Sequence, residues 1–445
     1  PFTSADVKFT WEALINPKNL VKSRSGYELI ESVETPDDHT AVVKYKEYYA
    51  PYLTRFAPVL PKHILGQLDN INDAPYNRMP VGTGAFRVTE WVSGDHITMV
   101  KNPHYREADK VKIDKLFFKI IPSREVGIAQ IQAGDVDGVW DLIEAQIPMM
   151  EKNPEISLCL SNGLVSERLI MNHSTPFPPN NGNPDYPHPI LGDLRVRQAI
   201  QYAIDKDTII DKLLYGKAQP GTTEIPDGWA HNPDVKPTEY DPEKAKQLLD
   251  AAGWKPGADG IREKDGTRLR LKITTTTGNK LREMVEQVLV AQMKAVGIEF
   301  YIENVPSSVL FGSWANDADR KKGRYDILMY TTGPGIDPHQ QYEGYFHSKN
   351  IPTEANGGSG YNYTRHRDAE LDKWLDLAGK APSLEKRAEA YRKAQARVAE
   401  IVPHIYLYRR VNVHAFRNNV KGWIPNGYGI IDVVATWNVA DWYVE

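Results

Sequence analysis

The sequence predicts an α/β protein with mixed sheets, and two stretches of the chain carry this prediction. Residues 269–302 combine an alternating apolar segment, an amphipathic helical segment closed by Gly297, and a second apolar segment. This order of strand, helix and strand predicts parallel strands joined by a right-handed crossover. Residues 86–121 contain further segments of strand-like alternation, followed by a helical pattern at residues 126–132. In this second stretch, several strands with a helix between them predict a mixed sheet.

The other elements follow from the same periodicities and from helix start and stop signals. Asp207 is a candidate helix cap, and Asp241-Pro242-Glu243 places a cap, a proline and an acid in the order that a first helical turn favours. Gly134 is expected to end the helix at residues 126–132 in a left-handed conformation. The remaining predicted strands are residues 32–34, 39–45, 325–330, 405–408 and 411–415, and the remaining predicted helices lie at residues 5–15, around 196–203, around 281–296, and near Leu371 and Leu384.

Length and composition bound the class of protein. A chain of 445 residues predicts two or three domains. Hydrophobic residues at 41% and charged residues at 25% are globular values, and no apolar run approaches the roughly 18 residues that span a bilayer. The near balance of charge, at a net −4, argues against nucleic acid as a partner. The sole cysteine, Cys159, excludes an internal disulfide and, between two leucines, is expected to be buried and inert.

The segment at residues 325–342 is the strongest candidate for a functional site. Its apolar run ends abruptly in a loop of small residues, and ligands of open α/β sheets collect where strands end in loops. The loop offers hydroxyls and exposed backbone rather than a nucleophile or metal ligands, so we interpret it as a binding surface. The candidate ligand-binding residues here are Tyr330, Thr331, Thr332, Gly333, Gly335 and Asp337. For Asp337 a local turn with the following Pro338 is the alternative.

Signatures of enzymes and metal centres are missing from the sequence. There is no nucleophile elbow, zincin motif, P-loop or dinucleotide fingerprint. His339, His347 and His366 have separations that fit no compact metal site. We therefore expect no enzyme, no cofactor and no bound metal. Two alternatives stay open: a metal-chelate binder using His339 or His347, and a glycoside hydrolase using two acids among Asp317, Asp319, Asp337 and Glu343.

Four segments carry a resemblance to a known family. Residues 2–7 (Phe-Thr-Ser-Ala-Asp-Val) form a helix start, and residues 80–87 with Trp91, Asp95 and residues 101–105 form a second motif, in which Arg106 replaces the usual tryptophan. Residues 194–200 with 203–206 (Ala-Ile-Asp-Lys) form the third, and residues 240–254 from Tyr-Asp-Pro to Ala-Ala-Gly-Trp the fourth. Together they resemble the bacterial extracellular solute-binding proteins of family 5, the dipeptide-, oligopeptide- and nickel-binding components of ABC importers.

The resemblance implies the bilobal clamp of the type II periplasmic binding proteins with an extra small domain. Its expected domains are residues 1–77 (part of the small domain), 78–171 (lobe one, first segment), 172–408 (lobe two) and 409–445 (lobe one, return). It further implies closure on a small solute by hinge motion, delivery to ABC permease subunits, and a periplasmic or extracellular monomer. The chain begins directly in a helical pattern without a signal peptide, so we expect a preceding segment to be absent, and a lipid anchor there is an open alternative.

One departure from the family keeps the solute open. In peptide-binding relatives an aspartate after the pocket strand pairs with the ligand's ammonium group, and the matching position here is Pro334. A buried ammonium without a counter-charge is costly. Unless Asp337 substitutes, a neutral, glycoside-like or opine-type solute competes with a peptide. It would stack on Trp229, Tyr330 or Tyr361, each of which also fits a core role, and would hydrogen-bond to Thr331, Thr332 and Asn279.

Overall fold

A computed structural model describes residues 1–21, 24, 26–335, 337–426 and 436–445. The chain divides into two compact units, residues 1–161 with 412–445 (unit 1) and residues 162–411 (unit 2). The finer expectation of a small domain at residues 1–77 stays a prediction. Ile336 of the candidate loop and residues 427–435 of the expected return segment lie outside the described residues. None of the helices described here has the length and apolar character needed to cross a membrane.

The first segment of unit 1 builds two small antiparallel sheets. Its elements are α1 (Ser4–Ile15), β1 (Ile30–Asp37), β2 (Thr40–Tyr45), α2 (Lys62–Leu65), β3 (Phe86–Val92), β4 (His96–Lys101), β5 (Lys115–Lys119), α3 (Arg124–Ala133), β6 (Gly138–Leu142) and α4 (Ile147–Met150). Strands β1 and β2 pair with each other, and β3, β4 and β5 form a second sheet. Both pairings of the second sheet are antiparallel, so the mixed sheet predicted for this stretch was wrong, because these strands follow one another as hairpins without a crossover helix between them. Gly134 ends α3 at φ 83°, as predicted.

Two long strands contain the boundaries between the units, which fall after residues 161 and 411. The elements from the first of these strands to the second are β7 (Ile156–Met171), α5 (Leu194–Tyr202), α6 (Lys206–Leu213), β8 (Gln219–Pro220), α7 (Pro242–Ala251), β9 (Lys255–Pro256), β10 (Arg262–Lys264), β11 (Thr267–Arg268), β12 (Arg270–Thr274), α8 (Lys280–Ala295), β13 (Glu299–Ile302), α9 (Ser307–Leu310), α10 (Asp319–Lys322), β14 (Ile327–Thr332), α11 (His339–Phe346), α12 (Ala369–Lys380), α13 (Leu384–Ile401) and β15 (His404–Arg417). The short strands β16 (Val420–Lys421) and β17 (Tyr443–Val444) pair in unit 1.

The sheet of unit 2 is mixed, as the sequence predicts. Strand β12 pairs in parallel with β13 and with β14, which confirms the predicted strand–helix–strand unit around α8. Strand β14 then pairs with β7 in antiparallel fashion. The main core lies against this sheet and buries Leu271, Ile273 and Val285 completely, because apolar side chains at alternating strand positions and at helical spacing face the same layer.

Two local predictions were wrong. Helix α6 is capped by Asp205, whose side chain accepts a hydrogen bond from the backbone amide of Thr208, rather than by Asp207. Residues 405–415 are not two strands but part of the single strand β15. Its central arginines interrupt the apolar pattern. The backbone stays extended because β15 pairs with β8 at Tyr408 and Arg409 and with β6 from Val413 to Phe416.

Candidate functional site

The candidate site is built on the antiparallel pair of β7 and β14. Arg168 lies opposite Tyr330, Ser166 opposite Thr332, and Glu167 opposite Thr331. Because successive side chains of a strand alternate between its two faces, this register sorts the pair into two sets of neighbours. We call one the paired face (Glu167, Leu169, Met171, Ile327, Met329 and Thr331) and the other the tyrosine face (Ser166, Arg168, Ile170, Leu328, Tyr330 and Thr332).

On the paired face, Glu167 and Thr331 both accept hydrogen bonds from Arg282. Arg282 donates from Nε to Glu167 Oε1 at 3.0 Å and from Nη2 to Thr331 Oγ1 at 3.0 Å. Burial raises the pKa of Glu167, although Arg282 opposes that shift. Asn279, a predicted ligand residue, caps α8 and accepts a hydrogen bond from the backbone amide of Arg282 at 3.2 Å. Thr331 Oγ1 and Asn279 Oδ1 thus each accept a hydrogen bond from Arg282.

The tyrosine face carries a buried ion pair. Arg168 donates from Nη1 to Glu224, and both side chains are fully buried. The other Glu224 oxygen accepts a hydrogen bond from the Thr332 hydroxyl at 2.7 Å. The Arg168 guanidinium lies 4.4 Å from the ring centroid of Tyr345 and 5.9 Å from that of Tyr330. Burial opposes the charge of Arg168, but Glu224 and the rings of Tyr345 and Tyr330 together favour it, and the pKa of the guanidinium is raised.

Several polar atoms of this face have no hydrogen-bond partner in the protein. They are Arg168 Nε and Nη2, Ser166 Oγ and the Tyr330 hydroxyl. Buried polar groups in folded proteins are almost always hydrogen-bonded, so donors left over in a cluster point to a bound water or ligand. The arrangement can hold hydrogen-bond acceptors, and it presents no group prepared for a chemical step.

The predicted loop after β14 has a different role from the strand. Gly333 packs tightly, since a Cβ there would lie 3.1 Å from the Leu164 carbonyl oxygen, and Gly335 adopts φ 73°. Pro334 is buried. Asp337 accepts two hydrogen bonds from Arg387, each 2.8 Å long, and a third from the His339 backbone amide at 2.9 Å. The Asp337 carboxylate is therefore held in an internal ion pair and a local turn.

The two remaining predicted residues are aromatic and lie in separate clusters. Trp229 packs edge-on against Tyr391 at 5.6 Å, with the Arg387 guanidinium 5.0 Å from its ring centroid. Tyr361 is 37% exposed and lies 6.4 Å from Tyr345, the ring that stacks on Arg168. The structure thus brings Tyr330, Thr332 and Tyr361 to the tyrosine face or its neighbours. It places Trp229 and Asp337 beside Arg387, and Thr331 and Asn279 around Arg282.

The acids and histidines named for the alternative functions are engaged elsewhere. Arg324 binds Asp317 and Asp319, and it lowers the pKa of Asp317. Lys349 binds Glu343 at 2.5 Å. Within the described part of the chain, no three His, Cys, Asp or Glu side chains are grouped so that they could hold a metal ion. Cys159 is buried, and burial raises the pKa of its thiol to about 11.

Two described cavities are lined by no residue of the tyrosine face. One of about 520 Å³ is in unit 1, lined by parts of β5, α3 and β6, including Phe118 and Trp140. The other, of about 150 Å³, is in unit 2 and is lined among others by Lys206, whose Nζ donates to the Gly221 carbonyl at 2.9 Å. Burial lowers the pKa of Lys206 to about 8. Neither cavity contains a residue from the predicted ligand set.

Sequence reasoning missed Ser166, Arg168 and Glu224. A signal was present, because Ser166-Glu167-Arg168 interrupts the apolar pattern of β7 directly before Leu169, Ile170 and Met171. Charges inside a strand that is otherwise apolar are costly to bury, and such positions mark either an ion pair or a site. The partner Glu224 is distant in sequence and no local pattern indicates it.

Comparisons with known proteins agree on one family. The family model described as "Bacterial extracellular solute-binding proteins, family 5 Middle" matches residues 1–353. The oligopeptide-binding protein AppA of Bacillus subtilis is 28% identical over 432 residues, which cover 95% of this chain and 74% of that protein. Among solved structures, NikZ from Campylobacter jejuni in complex with Ni(L-His) has a TM-score of 0.85 at 28% identity, covering 99% of this chain and 84% of the other. AppA of Bacillus subtilis in complex with a nonapeptide has a TM-score of 0.76 at 26% identity, covering 100% and 84%.

Proposed function

Since the chain belongs to the family 5 bacterial extracellular solute-binding proteins and has the type II periplasmic binding protein fold, we propose that its solute is peptide-like. We further propose that it hands this solute unchanged to ABC permease subunits as a periplasmic monomer. The observation that carries the proposal is the tyrosine face, where buried donors of Ser166, Arg168 and Tyr330 lack protein partners. Relatives described as oligopeptide-binding support the peptide class.

The same geometry argues against the hydrolase alternative. A glycosidase needs one carboxylic acid with a raised pKa and a second carboxylate at a defined distance. Asp317, Asp337 and Glu343 are each paired with a basic side chain instead, and the pKa of Asp317 is lowered. We therefore propose that the protein binds its solute without chemistry.

A glycoside-type solute is the second candidate. It is favoured by Pro334, which places no charge after β14, and by the ion pair that occupies Asp337. Stacking on the exposed ring of Tyr361 suits a sugar as well as a peptide side chain.

A thermal-shift measurement followed by recovery of the solute tests the function. A solute present at about 100 times its dissociation constant should stabilise the protein by about 2.7 kcal/mol. Chromatography of the recovered solute should show the starting compound only. A product that accumulates with time, and that disappears in Asp337→Asn, would instead establish the hydrolase.

A further inference from the structure

Four polar atoms without protein partners lie on one face of two adjacent strands. Arg168 and Tyr330 are direct cross-strand neighbours, and Ser166 is two residues before Arg168 on the same face. Their exposed fractions are 0% for Arg168, 5% for Tyr330 and 2% for Ser166. Neither the strand ladder nor water at the surface can satisfy these groups, so they are placed to bind an internal water or a ligand atom.

The free edge of Arg168 has a defined shape. Glu224 accepts from Nη1, which leaves Nε and Nη2. These two nitrogens form one edge of the planar guanidinium, and their N–H groups point in parallel. An acceptor placed there receives two hydrogen bonds, while the Tyr330 and Ser166 hydroxyls, which can both donate and accept, supply further contacts.

The charge at this position is already balanced. Arg168 is neutralised by Glu224, and Glu224 receives a further hydrogen bond from Thr332. A ligand carboxylate on Arg168 would add a second negative charge to that of Glu224, and Arg168 can compensate only one of the two. A ligand ammonium would instead leave one positive charge without a counter-charge. Either charge is expensive to bury, whereas an uncharged acceptor keeps the balance.

We propose that Ser166, Arg168 and Tyr330 form a subsite for an uncharged hydrogen-bond acceptor of the ligand, such as an amide carbonyl or a sugar oxygen. Tyr345 supplies the aromatic surface beside it. The inference rests on the proposed solute-binding function and specifies which chemistry that function selects. The subsite excludes ligand termini that carry charge.

The test uses the whole chain and three ligand pools. One contains tripeptides that are acetylated and amidated, the second contains the same tripeptides with free ends, and the third contains neutral trisaccharides. Native mass spectrometry detects binding, and titration calorimetry on a hit from each pool gives the affinity. The variants are Tyr330→Phe and the double variant Ser166→Ala/Tyr330→Phe, which remove only atoms without protein partners.

We expect an uncharged pool to bind, and each deleted hydroxyl to weaken that binding by about threefold to tenfold. The matched control is Tyr325→Phe, because the Tyr325 hydroxyl donates to the Tyr363 carbonyl. This control should lower the melting temperature and leave the affinity unchanged. Tyr330→Phe should leave the melting temperature unchanged and lower the affinity.

The outcomes separate the subsite from the function. Binding of the free-ended pool alone, or equal affinities of wild type and the double variant for every pool that binds, overturns the subsite and leaves solute binding intact. Binding of trisaccharides alone, weakened in the double variant, supports the subsite and overturns the peptide class. Binding of no pool overturns both.

Glu224→Gln tests the charge argument separately. The exchange retains an acceptor for Arg168 but removes the negative charge. We expect this variant to gain affinity for the free-ended tripeptides by at least tenfold relative to wild type, because their carboxylate then neutralises Arg168. An unchanged affinity ratio between the free-ended and blocked pools would overturn the claim that charge balance selects the ligand.

Discussion

The two faces of the β7–β14 pair share one backbone and one register but treat their polar groups differently. On the paired face, Glu167 and Thr331 both contact Arg282, next to the main core. On the tyrosine face, Arg168 has one donor bound to Glu224 and two without a protein partner. Equal burial therefore does not mean equal function. A buried polar group that the protein satisfies contributes to stability, whereas one that the protein leaves without a partner is a candidate for recognition.

The largest expected effect comes from breaking the ion pair of the tyrosine face. Arg168→Met leaves Glu224 buried and unpaired, which should lower the free energy of unfolding by about 3–5 kcal/mol. The double variant Arg168→Met/Glu224→Gln removes both charges and should recover at least half of that loss. Urea unfolding measures both values. A double variant as unstable as the single one would show that lost packing, rather than charge, explains the cost.

The second largest expected effect is on the free energy of unfolding, and it depends on pH through Glu286, which lies on the same helix as Arg282. Glu286 lies one turn after Arg282 on α8 and is completely buried, and burial raises its pKa from 4.5 to about 7. The folded state thus retains a proton that the unfolded state releases between these values, so Glu286 lowers the stability as the pH rises from about 4.5 through 7. Glu286→Gln should therefore raise the free energy of unfolding by about 3 kcal/mol at pH 8 and change little at pH 4.

The control for this prediction is Glu389→Gln, at an exposed position of α13. It should change the stability by less than about 0.5 kcal/mol at either pH. Unfolding in urea at the two pH values gives the comparison. A gain from Glu286→Gln that is equal at pH 4 and pH 8 would contradict the assigned titration.

The smallest expected effect compares one hydroxyl from each face. Thr331→Val removes the acceptor of Arg282 Nη2 and should cost about 1 kcal/mol. Ser166→Ala removes an oxygen without a protein partner and should change the stability by less than about 0.5 kcal/mol. Thermal unfolding of the two variants without ligand measures the difference. Equal losses would mean that Ser166 is satisfied within the protein after all.

Local patterns predicted much of the fold. The alternation around Leu271 and the helical spacing of α8 predicted a parallel unit, and β12 pairs in parallel with β13 and β14 as expected. The candidate loop was predicted from Gly333 and its neighbours as a binding surface, and that assignment stays a prediction. Thr331 and Asn279 show why such assignments are difficult, because both fit a ligand by residue type and both are used within unit 2 by Arg282.

By itself, the sequence determined the α/β class, most elements and the family, because periodicity, caps and motif spacing are local properties of the chain. Only the tertiary structure decided which polar groups find a partner within the protein. Glu224 lies 56 residues from Arg168 in sequence and neutralises it, and Arg387 lies 50 residues from Asp337 and occupies it. Charge pairing of this kind depends on distances in space, so which polar groups the protein itself satisfies follows from how unit 2 folds rather than from any single motif.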